Sequence, residues 1–137
     1  MTLSGTAFQG WLDRYVDAWK SYDPERIGAL FSEGAEYRHH PKDEPIKGRE
    51  AIVADWLEDP DEAGTFDGHY EPLAIEGENH VASGWSREFD GDGKLVDEYW
   101  NVYLCRFDAD GRCTSFTEWW IQSREFGRGE QETATTS

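Results

Sequence analysis

From residue 65 to residue 123 the chain is a succession of strand-like segments separated by short turns, and this pattern constrains the fold most. The turns combine Gly with Asp, Asn or Glu, and such residues favour tight turns. Neighbouring strands joined in this way pair as antiparallel hairpins. The predicted strands are 66–75, 81–89, 95–107 and 113–123, and the turns between them are 76–79, 90–93 and 108–111.

The first part of the chain has a helical period instead. Apolar residues recur there at steps of three and four, which predicts an amphipathic helix over 8–22. These residues are Phe8, Trp11, Leu12, Tyr15, Val16 and Trp19. Asp23 before Pro24 predicts the start of a second helix, which continues to Phe31 and closes at Gly34. A short strand over 35–40, a polar loop over 42–47 and a third helix over 48–57 follow.

Three helices followed by a meander of long strands predict an α+β fold, with the helices covering one face of a strongly curved, mainly antiparallel sheet. The length fits one domain, which we assign to residues 1–126. Residues 127–137 contain one apolar residue, Ala134, and are expected to be a disordered tail.

The alternation within the strands predicts which side chains face the helices. In strand 81–89 the odd-numbered residues are bulkier, so we expect Trp85 and Arg87 to point inward. Strand 95–107 is apolar on both faces, with Tyr103 on the inner one. Its outer row, together with one residue of the last strand, predicts a homodimer contact. That outer row is Trp100, Val102, Leu104 and Trp119.

The net charge of −16 excludes whole classes of partner. Contacts with phosphate need a basic surface, so we expect neither nucleic-acid binding nor adhesion to anionic membranes. The acidity suits high salt, although an ordinary acidic cytosolic protein fits equally. No apolar run reaches the length of a membrane span. Residues 1–10 lack the pattern of a signal peptide, so we expect a cytoplasmic protein.

The order of short sequence words resembles the nuclear transport factor 2-like superfamily, most closely its SnoaL-like branch. The first words are 14–19 (RYVDAW), 27–31 (IGALF), 35–37 (AEY) and 48–52 (GREAI). The last ones are 107–111 (FDADG) and 116–120 (FTEWW). The resemblance spans about residues 8–126. It implies a cone-shaped α+β barrel that encloses a pocket, commonly in dimers, and it does not specify an activity.

The resemblance also implies roles for individual residues. Tyr15 matches an oxyanion donor of ketosteroid isomerases, His39 their carboxylate base, and Tyr103 a protonated aspartate that supports the oxyanion. Glu118 matches the acidic base of polyketide cyclases. Tyr37 and His39 match water-orienting residues of epoxide hydrolases. Trp85 and Arg87 replace the Arg-x-Asp pair of those hydrolases, so their relay is incomplete here.

These residues predict a pocket for a small, largely apolar molecule and cofactor-independent acid–base chemistry on a carbonyl compound, of the isomerase, cyclase or dehydratase type. His39 and Glu118 would transfer protons, and Tyr15 and Tyr103 would assist them. Further contacts with the substrate are expected from Trp19, Tyr37, Trp56, Trp85, Arg87, Tyr99, Asn101, Phe116 and Trp120. The alternative is a non-catalytic ligand-binding or dimeric interaction protein.

Each of these residues also has a structural interpretation. Glu118 and Arg87 could form a buried ion pair, and His39 could be a hydrogen-bonded core histidine. Tyr15 and Trp19 could be ordinary core residues of the first helix.

The sequence predicts neither a metal nor a cofactor. His39 and His40 are adjacent in a predicted strand, so they point to opposite faces and cannot share an ion. If Phe107 pairs with Arg112 across the turn, Cys105 and Cys113 lie on opposite faces and cannot form a disulfide. A change of one residue in the register would reverse that conclusion.

Overall fold

A computed structural model describes residues 1–58 and 65–126 and contains three helices in that part of the chain. Helix α1 is Gly5–Ser21, α2 is Pro24–Ala29 and α3 is Arg49–Leu57. The side chain of Ser4 caps α1 by accepting from the amide of Ala7, and Asp23 caps α2 by accepting from Glu25. These caps satisfy amides that a helix leaves without partners.

The strands form one six-stranded sheet in the order β2-β1-β6-β5-β4-β3. Their bounds are Phe31–Arg38 for β1, Ile46–Lys47 for β2, Phe66–Glu76 for β3, Asn79–Phe89 for β4, Leu95–Phe107 for β5 and Cys113–Gln122 for β6. The pairs are antiparallel except β1 with β6, which is parallel. The predicted α+β cone, with helices against a curved sheet, is therefore confirmed.

The boundaries around α2 differ from the prediction. The helix ends at Ala29, and Phe31 begins β1 opposite Cys113. A fully buried Phe31 suits a helix face and an inner strand position equally, so the apolar run did not distinguish the two. The predicted polar loop also contains β2, a two-residue strand whose Ile46 pairs with Tyr37.

The core is built mainly from aromatic rings carried by α1 and the inner face of the sheet. Trp11 is fully buried, and its indole nitrogen donates to the carbonyl of Leu30 at 3.0 Å. The ring of Tyr15 stacks on that of Phe116 with centroids 5.2 Å apart. Burying rings of this size supplies much of the hydrophobic stabilisation of a small domain.

The predicted inner face of β4 is wrong. His80, Ala82 and Ser86 are the buried residues of this strand, so the even-numbered set faces the helices and Trp85 and Arg87 face outward. The physical reason is space. Gly84 lies opposite both Tyr70 and Asn101, and the Tyr70 ring occupies the room that a larger residue at position 84 would need.

The outer face of β5 and β6 carries the apolar row that the sequence predicted. Trp100 is 51% exposed, Val102 38% and Trp119 43%. Val102 pairs directly with Trp119, and Trp100 with Ile121, which is 73% exposed. Leu104 is partly buried in the same row.

The two cysteines lie on one face, so the prediction that they face opposite sides is wrong. An irregularity between Arg106 and Phe107 shifts the register, and Phe107 pairs with Cys113 rather than with Arg112. Both cysteines are buried free thiols, close enough for the two groups to interact.

None of the helices in the described part of the chain is long and apolar enough to cross a membrane. The predicted disordered tail, 127–137, lies outside the described residues, so the domain boundary at residue 126 stays a prediction.

Candidate functional site

A pocket of about 230 Å³ opens at the inner face of the sheet. Its lining residues are His39, Ser86, Tyr99, Asn101, Glu118 and Trp120. All of these except Ser86 were predicted from the sequence. The register of the strands explains why these side chains lie close together. Ser86 pairs with Tyr99 on β5, and Asn101 pairs with Trp120 on β6.

Glu118 is the ionisable group at the base of this pocket. The Asn101 side-chain amide donates to Glu118 Oε2 at 2.6 Å, and the Ser86 hydroxyl donates to Asn101 Oδ1 at 3.2 Å. Burial raises the pKa of Glu118 to about 7, although the Asn101 hydrogen bond and the charge of a protonated His39 act in the opposite direction. The carboxyl group can therefore both give and take a proton near neutral pH.

His39 faces the same pocket and is held by a carboxylate from α3. Its Nε2 lies 2.7 Å from Asp55 Oδ2, and 42% of the His39 side chain is exposed. The His39 ring also contacts Tyr37 edge to face at 4.9 Å. A carboxylate on one ring nitrogen fixes the orientation of an imidazole, so the other nitrogen can act as a base.

A layer of buried aromatic side chains lies beneath the pocket. The hydroxyl groups of Tyr15 and Tyr37 hydrogen-bond each other at 2.9 Å, and Tyr70 lies against Tyr103 with ring centroids 4.6 Å apart. Burial raises the pKa of Tyr15, Tyr37 and Tyr103 well above 10. These phenols therefore stay neutral throughout the physiological range.

Several predicted contact residues belong to this core rather than to the pocket lining. Tyr15, Tyr37 and Tyr103 are at most 2% exposed. The core also includes Phe116 and Trp56, and Trp19 stacks on Trp56 at 4.2 Å. A ligand can contact these side chains only if core side chains move and enlarge the pocket. Their predicted roles therefore remain predictions.

Trp85 and Arg87 lie on the opposite side of the sheet from the pocket lining. The Arg87 guanidinium stacks over the Trp85 ring at 4.1 Å, and its Nε donates to Glu98 Oε2 at 2.7 Å. The ion pair considered between Arg87 and Glu118 is therefore wrong, because Arg87 pairs with a carboxylate of the outer face.

Sequence reasoning missed Asp55 and Ser86. Asp55 stands between the apolar residues of α3, and no spacing relates it to His39. Ser86 belongs to the even-numbered face of β4, which was predicted to point outward because its side chains are smaller. Correct assignment of that face would have placed Ser86 beside Asn101 and thus at the site.

Two other features bear on where the site lies. A larger depression of about 310 Å³ lies between α1 and α2, but its charged residues Arg14, Asp17 and Arg26 are exposed side chains of the helix surfaces. Within residues 1–58 and 65–126, no group of three or more His, Cys, Asp or Glu residues is arranged to hold a metal ion. The smaller pocket is the one that combines concavity with a perturbed ionisable group.

The fold and pocket together define a protein of the nuclear transport factor 2-like class. The model of the SnoaL-like domain family matches residues 12–116, which is most of the chain, so the protein belongs to this family.

Its structure is similar to the crystal structure of an NTF-2-like protein of unknown function from Burkholderia xenovorans LB400. The two share 15% sequence identity with a TM-score of 0.65, over 86% of this chain and 85% of that chain. At this identity the likeness shows the fold alone. None of the curated proteins searched matches this sequence significantly.

Proposed function

We propose that the protein binds a small carbonyl compound in the pocket and catalyses proton transfer on it without a cofactor. The observation that supports this most is the Glu118 carboxyl group, whose pKa of about 7 is set by burial, in an open pocket shared with His39. Perturbed ionisable groups converging on a cavity are typical of acid–base sites.

His39 and Glu118 each carry out one proton transfer. Neutral His39, oriented by Asp55, removes a proton from the carbon next to the carbonyl group. Protonated Glu118 donates its proton to the carbonyl oxygen, which gives a neutral enol. Return of a proton from His39 at another carbon isomerises the compound. Dehydration occurs when protonated His39 instead gives its proton to a hydroxyl group on the next carbon, which leaves as water while the enol returns its proton to Glu118.

The volume of the pocket limits the size of the substrate. Sites for drug-sized ligands have volumes of about 300–1,000 Å³, and this pocket has about 230 Å³. We therefore propose a substrate with one ring or a short chain.

Deuterium exchange tests this proposal without knowledge of the natural substrate. Incubation with cyclohexanone in D₂O is expected to exchange the hydrogens next to the carbonyl group faster than buffer does, as followed by NMR. Both His39→Gln and Glu118→Gln should slow the protein-catalysed rate by about 100-fold or more, since a general acid or base contributes about 10²–10⁴.

The matched controls are His40→Gln, at an exposed neighbour of His39, and Glu71→Gln, at an exposed residue of β3. Both should retain the rate of the parent protein. Equal rates in all four variants would show that any exchange comes from the surface of the protein, and the catalytic proposal would be wrong.

The buried aromatic layer favours a second candidate, a ligand-binding protein without catalysis. Rings of Tyr15, Trp56 and Phe116 occupy the interior of the cone, so little of it is open to a substrate. Binding of a small ketone with no exchange above the buffer rate would support this candidate.

We also propose that the chain forms a homodimer through the outer face of β5 and β6. Trp100, Val102, Trp119 and Ile121 form a contiguous exposed apolar patch there. In a dimer with two-fold symmetry the same patch of both subunits pairs with itself, which would remove these apolar side chains from water.

Sedimentation velocity tests the dimer. The parent protein should sediment as a dimer, and Ile121→Glu should sediment as a monomer, because the two-fold axis introduces the charge twice. Leu73→Glu, at a residue of β3 that is 64% exposed, should stay dimeric. A monomer of the parent protein in both low and high salt would contradict the proposal.

A further inference from the structure

The charges around the pocket indicate which small molecules it accepts. Its lining contains the Glu118 carboxyl group and His39, which is itself paired with Asp55. No lysine or arginine is among the described residues that line it. A ligand with a negative charge would therefore meet carboxylates without a permanent positive partner, and desolvating it there would be costly.

Two residues that line the pocket, Trp120 and Tyr99, are aromatic. Trp120 is 44% exposed, and its ring meets that of Tyr99 edge to face at 5.6 Å. The face of an aromatic ring attracts a cation, most strongly for tryptophan. An aromatic wall beside a carboxyl group is thus complementary to a positively charged nitrogen with an apolar substituent.

We propose that the pocket takes a small ligand whose positively charged nitrogen lies between the Glu118 carboxyl group and the ring of Trp120. This inference goes beyond the proposed function, because it concerns the ionised form of Glu118, whereas the proposed proton transfer on a carbonyl compound uses the protonated form. The net charge of −16 concentrates such cations around the protein.

The proposal carries a definite dependence on pH. Glu118, with its pKa of about 7, must lose its proton to attract the cation fully, so binding releases protons and strengthens as the pH rises. His39 also lines the pocket, and its Nε2 lies 2.7 Å from Asp55 Oδ2. Tyr15, Tyr37, Tyr70 and Tyr103 also lie within the electrostatic reach of Glu118. Burial keeps them neutral, so they add no charge.

The test compares three single-ring probes of similar size: benzylamine, benzyl alcohol and benzoate. Benzylamine is protonated from pH 6 to pH 8, and its affinity is expected to rise about tenfold over this interval, following the ionised fraction of Glu118. Benzyl alcohol should gain no affinity, because a neutral hydroxyl group also pairs with the protonated acid. Benzoate should bind most weakly. Calorimetry gives the affinities, and the indole NMR signal of Trp120 locates the binding.

Two variants separate Glu118 from the other charges. In Glu118→Gln the affinity for benzylamine should fall and most of its pH dependence should disappear, whereas Glu71→Gln should behave as the parent protein does. Trp120→Leu should weaken benzylamine more than benzyl alcohol.

Benzyl alcohol binding as tightly as benzylamine at pH 8, or an unchanged benzylamine affinity in Glu118→Gln, would overturn the inference. Failure of all three probes would also overturn it. The proposed function would then still stand if cyclohexanone exchanges deuterium in a manner that depends on His39 and Glu118.

Discussion

The Glu118→Gln variant is expected to be more stable than the parent protein at pH 8 and equally stable at pH 4. Burial raises the pKa of Glu118 from its ordinary value of 4.5 to about 7, so the folded protein holds a proton that the unfolded chain releases. The free energy of unfolding therefore falls as the pH rises between these two values. The shift lowers the free energy of unfolding of the parent protein by about 3 kcal/mol at pH 8. Glutamine is a neutral group of the same shape, so the variant does not lose this stability.

Urea unfolding at pH 4, 6 and 8 measures this difference. At pH 4 the carboxyl group is largely protonated in both states, so the two curves should nearly coincide, and they should separate progressively above pH 4.5. Glutamine can still accept the hydrogen bond that Asn101 donates to Glu118. Glu71→Gln is the matched control and should show no comparable separation. A stability difference independent of pH, or a variant less stable at pH 8, would contradict the assigned pKa and its cause.

A residue that costs stability under neutral conditions needs another reason to be present. Glutamine at position 118 would satisfy Asn101 without the electrostatic penalty, so packing alone does not account for glutamate. Sites that hold an ionisable group in an unfavourable environment commonly trade stability for activity. The stability measurement thus bears on function before any substrate is known.

Much of the fold could be predicted because its signals are local. The helical period of residues 8–22 and the proline after Asp23 depend on neighbouring residues. Helix α1 begins three residues before its expected start, and α2 begins at Pro24, as expected. The outward position of Trp100, Val102 and Trp119 follows from simple alternation. Glu118 could be singled out because alternation places it on the same face as Phe116.

The remaining features depend on distant parts of the chain. Alternation divides β4 into two faces but does not say which is inner. Tyr70 on the neighbouring strand β3 fills the space at Gly84, and this contact comes from a distant part of the chain. The contact between His39 and Asp55 requires α3 to dock beside the end of β1, which no spacing encodes. The position of the cysteine pair depends on one extra residue of β6, Thr114, which lies between the partners of Arg106 and Phe107.

The Gly84→Ala substitution is expected to have the other large effect, because β4 has no room for a methyl group at this position. A Cβ atom there would collide with the carbonyl oxygen of His69 and come within 2.5 Å of Cδ1 in the Tyr70 ring. One partner is backbone, so the strain cannot be relieved by a side-chain rotation alone. Overpacking costs about 1–3 kcal/mol, and we expect a loss near the upper end of this range.

Gly34→Ala in β1 is the matched control, since a Cβ atom at that position meets nothing within 4 Å. This variant should be as stable as the parent protein or slightly more so, because alanine reduces the freedom of the unfolded chain. Thermal or urea unfolding of both variants gives the comparison. A Gly84→Ala protein as stable as Gly34→Ala would show that β3 and β4 are not packed as closely as described.

The Gly84→Ala substitution is also expected to change the environment of Glu118 in the pocket. Gly84 lies opposite Asn101, whose side chain positions Glu118, and it borders the Tyr70 ring beneath them. Because a displaced Tyr70 would admit water below the carboxyl group, the pKa of Glu118 should fall towards its ordinary value. Titration of Glu118 by NMR in folded Gly84→Ala measures this shift. An unchanged pKa near 7 would mean that the environment of Glu118 is set on the β6 side of the pocket alone.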